Sequence, residues 1–278
     1  MANVEQIIHE HLTALNLSPG EWAQAKAAAN ELNTLLRRDF DPQGEVRQGG
    51  SLQRGTAIKP LKDVDLLVVL SEKNFPTLRS LSPDDVMRVI QGKLQDLKLS
   101  ARVQNRSLGL NYKNIPFDLV LCWRDSPESH VLRLPDLGRN SWLCTDPAEH
   151  ARLGDERDKG CNQRLRPLIR AMKAWNVKNG KPLRSFHIEV MMWEVWKSGA
   201  PMSWAEGLQL SFSRLADRVR RETADPAGKG PRVDEGLTDP QRAHASRLLY
   251  AAAALAATLP AVADPQAVLT ELLGPKPA

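Results

Sequence analysis

The chain has 278 residues, 42% of them apolar, enough to bury a sizeable core in one large domain or two small ones. Its net charge of +5 suits the handling of polyanions but is modest for a dedicated nucleic-acid binder. Cys122, Cys144 and Cys161 lack paired spacing, which argues against a disulfide scaffold and for a reducing compartment, and no apolar run reaches the length of a membrane span. The polar, amphipathic start of the chain does not read as a signal peptide, so a soluble, cytoplasmic protein is expected.

In chain order, residues 3–17 and 19–39 read as helices, the second announced by Ser18-Pro-Gly-Glu21, a cap with a glutamate three residues on. A strand at 45–48 leads into a Gly49-Gly50-Ser51 turn. The run Asp63-Val-Asp-Leu-Leu-Val-Val-Leu70 then reads as a strand. Ser82-Pro-Asp-Asp85 starts a helix to about Lys98, with acids where the helix dipole favours them. Short strands near 101–105 and 109–112 and at Ile115–Leu121 follow as an antiparallel meander. From Thr145 onward the pattern is helical: 147–178 with a break near Lys159-Gly160, then 185–197, then a helix after the capping box Ser203-Trp-Ala-Glu206. Residues 225–240, rich in Pro and Gly, read as a loop, and the alanine-rich 243–257 as a helix. This change of character predicts an α+β fold: a catalytic domain at 1–144 with a mixed sheet and leading helices, packed against a helical domain at 145–278, with a ligand expected between them.

The chemistry concentrates at the acids. A strand repeats every two residues, so Asp63 and Asp65 emerge on one face, roughly 6.5 to 7 Å apart at Cα, close enough to share divalent cations. Asp118, alone in the apolar run Ile115-Pro-Phe-Asp118-Leu-Val-Leu121, needs a partner to offset its desolvation. Three carboxylates with phosphate oxygens and water suit the octahedral shell of Mg²⁺ or Mn²⁺, and two such ions would support nucleotidyl transfer. The glycines of the turn let backbone N–H groups approach phosphates, and Ser51 adds a hydroxyl donor.

Taken together, Gly50-Ser51, Asp63-Val-Asp65 and Asp118 resemble the polymerase-β-like nucleotidyltransferases. Gly50-Ser-Leu-Gln-Arg-Gly-Thr-Ala-Ile58 is similar to the branch that holds the 2′-5′-oligoadenylate synthetases, cGAS and the bacterial cGAS/DncV-like enzymes (CD-NTases). Leu165-Arg-Pro-Leu-Ile-Arg-Ala-Met-Lys173-Ala-Trp175 and Leu183-Arg-Ser185-Phe-His-Ile-Glu189 resemble the helical segment of the same enzymes. The resemblance implies that Asp63, Asp65 and Asp118 are metal ligands, with Asp118 also general base to the acceptor hydroxyl. It further implies that Gly50, Ser51, Lys173 and Ser185 bind the triphosphate, that Phe186 stacks on a base, and that Thr56 is the small hydroxyl residue after the turn. The expected activity is synthesis of a cyclic or short linear oligonucleotide second messenger from NTPs, ATP among them, in antiphage signalling, by a monomer that can answer to a protein or nucleic-acid activator. An RNA 3′-end nucleotidyltransferase of the CCA-adding or poly(A) type and a nucleotide-binding antitoxin-like module are the alternatives. Cys144, His150 and Cys161 lack a Cys-x-x-Cys anchor, so no zinc is expected.

Overall fold

A computed structural model describes residues 3–40, 46–70, 76–126, 128–197 and 199–277. They fall into two compact units that interleave along the chain. One comprises Ser18–Arg54 and Leu61–His150; the other comprises Met1–Leu17, Gly55–Pro60 and Ala151–Ala278. The first helix, grouped with the catalytic half in the sequence reading, thus lies in the helical unit, as does the short segment just after the Gly-Gly-Ser turn.

The first unit is built on a mixed sheet. Strands β1 (Val46–Gln48), β2 (Val64–Val69), β3 (Ala101–Val103), β4 (Leu108–Tyr112) and β5 (Ile115–Arg124) run in the order β1-β2-β5-β4-β3. The sequence reading starts β1 at Glu45, which lies outside the described residues. β2 and β5 are parallel, whereas β1–β2, β3–β4 and β4–β5 are antiparallel, so the expected meander β3-β4-β5 is present and its last strand pairs in parallel with β2. Apart from Asp65, β2 is buried along its length, the pattern of a central strand covered on both faces. Helix α2 (Pro19–Phe40) packs on β1 and β2, its start fixed by a reciprocal cap: Glu21 N–H donates to Ser18 Oγ at 3.2 Å and Ser18 N–H to Glu21 Oε2 at 2.7 Å. Four-residue α3 (Gly50–Gln53) lies on β2, and α4 (Pro83–Asp96) packs on β3 through Val86, Met87, Ile90 and Leu94, one helical stripe.

A hairpin, β6 (Leu132–Asp136) and β7 (Ser141–Thr145), extends the sheet from β5 and was not anticipated. Pro135 breaks the strand pattern in the sequence. In the fold β6 pairs with β5 only through Leu132 and Arg133, so the missing N–H of Pro135 interrupts no bond on that side.

The helical unit holds α1 (Val4–Ala14), α6 (Leu165–Lys178), α7 (Ser185–Val195), α8 (Trp204–Arg218), α9 (Asp239–Ala256) and α10 (Pro265–Leu273), with most of α5 (Pro147–Gly160). Their shared core includes Leu168, Met172, Ile188, Met192, Phe212 and Leu249. From His187 to Trp193 every residue of α7 is buried, which marks a central helix and makes its polar members, His187 and Glu189, conspicuous. Helix α9 starts earlier than the alanine run suggests, because Thr238 and Gln241 form a capping box with Pro240 in the first turn. Helix α10, also unanticipated, is capped by Asp264, which accepts from Ala267 N–H at 3.0 Å.

Candidate active site

Parallel pairing of β2 with β5 sets Asp65 directly beside Asp118 in register. Neighbouring strands lie about 4.8 Å apart, so the two carboxylates rise from adjacent positions at the same end of the sheet, and Asp63 stands one residue before β2. The Gly49-Gly50 turn closes on the same point. Gly49 N–H donates to Asp65 O at 2.9 Å, continuing the β1–β2 ladder, and Gly50 adopts φ +61°. A Cβ at Gly50 would stand 1.6 Å from Asp65 Oδ2. The sequence reading gave this glycine to phosphate approach; its first demand is room for the Asp65 carboxylate. Ser51 is half-buried in α3.

Burial first, and then the charge of Asp63, push the Asp118 carboxyl above the usual range, while Gln104, Ser107 and Arg102 pull the other way. Gln104 Nε2 donates to Asp118 Oδ1 at 3.1 Å. This contact was missed because Gln104 sits in a polar hairpin turn with no motif around it. A cavity of about 540 Å³ opens beside Asp118, with Lys62, Asp63, Arg102, Gln104 and Asn111 on its walls.

The donors fit a hard divalent cation. Among the described residues no three His, Cys, Asp or Glu side chains form a ready metal cage. Mg²⁺ seldom uses one: it takes one or two carboxylates and completes its shell with substrate phosphates and water. Oxygen donors in register, with the Asp118 carboxyl raised by burial and then by the charge of Asp63, are what a cation arriving with its nucleotide would neutralise.

In the helical unit, Lys173 is only 4% exposed and its three donors are matched, by Thr56 O at 2.9 Å, Thr56 Oγ1 at 3.0 Å and Glu189 Oε1 at 2.6 Å. Arg170, one turn earlier, donates to Gly55 O at 2.8 Å, and its own burial draws its pKa down to about 10. Together α6 grips the Gly55-Thr56 backbone. Glu189, quoted in the motif but given no role from sequence, is the buried counter-ion of Lys173. Ser185 is exposed at the first residue of α7, which lacks a side-chain cap. Asn176 fixes the turn before it by pairing its amide with both backbone groups of Leu183, at 2.8 and 3.0 Å. Phe186 packs edge-on to Trp193 at 6.0 Å. Of the cysteine and histidine set, Cys161 is buried with its Sγ 3.4 Å from Trp196 O, Cys144 is half-buried on β7, and His150 is buried in α5.

The α+β fold, with Asp65 and Asp118 in register on paired central strands, Asp63 one residue before β2 and the Gly50 turn against Asp65, is the fold of the CD-NTases of known structure. The structure of the Bradyrhizobium diazoefficiens CD-NTase CdnG in complex with GTP superimposes with a TM-score of 0.79 at 14% identity, covering 98% of this chain and 95% of that one. That of E. coli MS115-1 CdnC with ATP gives 0.73 at 18% identity, over 99% and 98%. Residues 1–157 match the Second Messenger Oligonucleotide or Dinucleotide Synthetase domain, and the chain belongs to that family. Among curated relatives, the cyclic AMP-AMP-AMP synthase of an Acinetobacter species is 26% identical over 144 residues, 49% of this chain and 40% of the relative. The cyclic AMP-AMP-GMP synthase of Enterobacter hormaechei is 26% identical over 253 residues, 66% of this chain and 65% of the relative. The chain therefore spans 40% to 65% of the length of these two synthases.

Proposed function

We propose that this protein is a metal-dependent nucleotidyltransferase that joins NTPs into a cyclic or short linear oligonucleotide second messenger, as in antiphage signalling. The observation that carries this reading is the register of Asp65 with Asp118 on parallel strands, with Asp63 just before one strand and the Gly50 turn fitted against Asp65. The family match favours this reading over RNA 3′-end extension or an antitoxin-like module.

In the proposed reaction a ribose hydroxyl oxygen attacks the α-phosphorus of a bound NTP, the bond to the β-phosphate oxygen breaks, and pyrophosphate leaves. Asp63, Asp65 and Asp118 would hold Mg²⁺ or Mn²⁺, two ions in the full site, which would lower the barrier by neutralising charge on the phosphates and acidifying the hydroxyl. Asp118 is assigned, on the resemblance, to take the hydroxyl proton. Backbone N–H groups at Gly50-Ser51 and the Ser51 hydroxyl are assigned to the triphosphate, and Ser185 to its tail. Phe186 is assigned to the base, and ATP to the substrates, on the resemblance alone. Lys173 is assigned first to Thr56, which it holds; contact with a phosphate requires its ammonium to give up a contact to Thr56 or Glu189. The active species is taken to be a monomer open to a protein or nucleic-acid activator.

The test is incubation of the purified protein with labelled NTPs and Mg²⁺ or Mn²⁺, followed by phosphatase and mass spectrometry. Phosphatase-resistant nucleotide product is expected. Extension of a tRNA or oligo(A) primer in its place would overturn the messenger reading.

A further inference from the structure

Next to the carboxylates stands a polar turn that neither the motif nor the family match singles out. It joins β3 to β4 and is closed by Gln104 N–H donating to Ser107 O at 2.9 Å. The Gln104 amide is engaged at both ends: its Oε1 lies 3.3 Å from Ser107 Oγ, which also hydrogen-bonds Asp118, and its Nε2 donates to Asp118 Oδ1 at 3.1 Å. The strand opposite makes room for this contact. Gly109 is the register partner of Asp118, and a Cβ there would stand 2.1 Å from Gln104 Nε2. The turn is itself pinned to the β6–β7 hairpin. Arg106 Nε and a terminal nitrogen reach Asp136 Oδ2 at 3.0 and 2.6 Å, and Gly138 N–H donates to Asn105 Oδ1 at 2.7 Å.

We propose that Gln104 is a positioning residue: held by Ser107 and given space by Gly109, it engages Asp118 Oδ1 and fixes the rotation of the carboxylate that is presented to a divalent cation. A carboxylate free to turn would sample bidentate and misdirected poses, which the strict octahedron of Mg²⁺ penalises. The ordinary alternative is a turn residue whose amide is merely satisfied by a nearby acceptor. In that case its removal costs stability and leaves metal binding alone. The inference rests on the proposed role of Asp118 as a metal ligand.

Gln104→Ala removes the amide, and Gly109→Ala expels it by steric contact while keeping it in the chain; each is to be compared with wild type, the double variant and Asp65→Asn. Mn²⁺ affinity is read from the paramagnetic resonance of free Mn²⁺ in the presence of a non-hydrolysable ATP analogue, and the Mg²⁺ requirement from the rate of product formation. Each single variant is expected to bind Mn²⁺ about tenfold more weakly and to need correspondingly more Mg²⁺, the range for outer partners of metal ligands. The double variant should be no worse than the weaker single, because both changes remove one contact. Folded single variants with wild-type Mn²⁺ affinity, or losses that add in the double, would overturn the proposal; should Gly109→Ala not fold, Gln104→Ala decides alone. Asp65→Asn separates the two levels. If it loses metal binding and product while Gln104→Ala keeps both, only the role of Gln104 fails; if it keeps both, the metal site and the role of Gln104 fail together.

Discussion

At Gly50 one atom decides the outcome. With φ at +61° and the missing Cβ only 1.6 Å from Asp65 Oδ2, Gly50→Ala must displace either the turn or the carboxylate. The expected result is loss of nucleotidyl transfer together with roughly 1–3 kcal/mol of stability, checked by product assay and denaturant unfolding. Asp65→Asn, in contrast, keeps shape and loses charge, so it should abolish activity in a protein that unfolds like wild type. The acids and the Gly-Ser turn were legible in the sequence because a carboxylate in an apolar strand is a costly exception that local composition exposes. Gln104 and Glu189 were not. A glutamine in a polar turn and a glutamate in a helix are commonplace residues, and what sets them apart is a partner distant in sequence, Asp118 in one case and Lys173 in the other.

Among the elements, α6 and α7 carry the clearest case of a motif whose structural work exceeds its expected role. Lys173 reaches across to Glu189 on α7 and back to the Thr56 backbone, so the pair is buried at 4% and 0% exposure. Removing one charge from such a pair strands the other: Lys173→Met or Glu189→Leu alone should cost roughly 3–5 kcal/mol, and the double variant should recover most of it. Nucleotide affinity measured on the folded double variant then reads the phosphate role separately. A fall means that Lys173 supports the nucleotide, at the tail or through Thr56, and no change means that it serves the fold alone. Capping signals translated well from sequence to structure at Ser18 and Ser203 because a cap is a local hydrogen bond. The β6–β7 hairpin did not, since its pairing depends on an edge of β5 that the local sequence does not describe.

For the molecule as a whole, pH is a usable probe of the helical unit. His187, at 1% exposure and bonded to Thr223 Oγ1 at 3.0 Å, is driven to a pKa of about 4. Burial is the chief cause; Asp234 opposes it, and Arg242, Arg218 and Arg184 reinforce it. The unfolded chain protonates this ring near pH 6.5 while the folded chain resists until about 4, so stability is full above 6.5 and is lost progressively as pH falls towards 4. The loss attributable to His187 is up to about 3 kcal/mol, and His187→Asn should flatten thermal unfolding temperature across that window. Fold class was readable at this scale because the helical periods and apolar strands separate along the chain. The allotment of elements to units was not, because α1 and the Gly55–Pro60 segment join the helical unit through contacts with residues far along the chain. The claim beneath the functional reading is that Asp63, Asp65 and Asp118 share divalent cations with a bound nucleotide. Crystals grown with Mn²⁺ and a non-hydrolysable ATP analogue, measured at a wavelength where manganese scatters anomalously, test it most directly. Manganese peaks are expected within ligand distance of Asp65 and Asp118 and in contact with the triphosphate; nucleotide bound with no manganese at these carboxylates would rule the shared cations out.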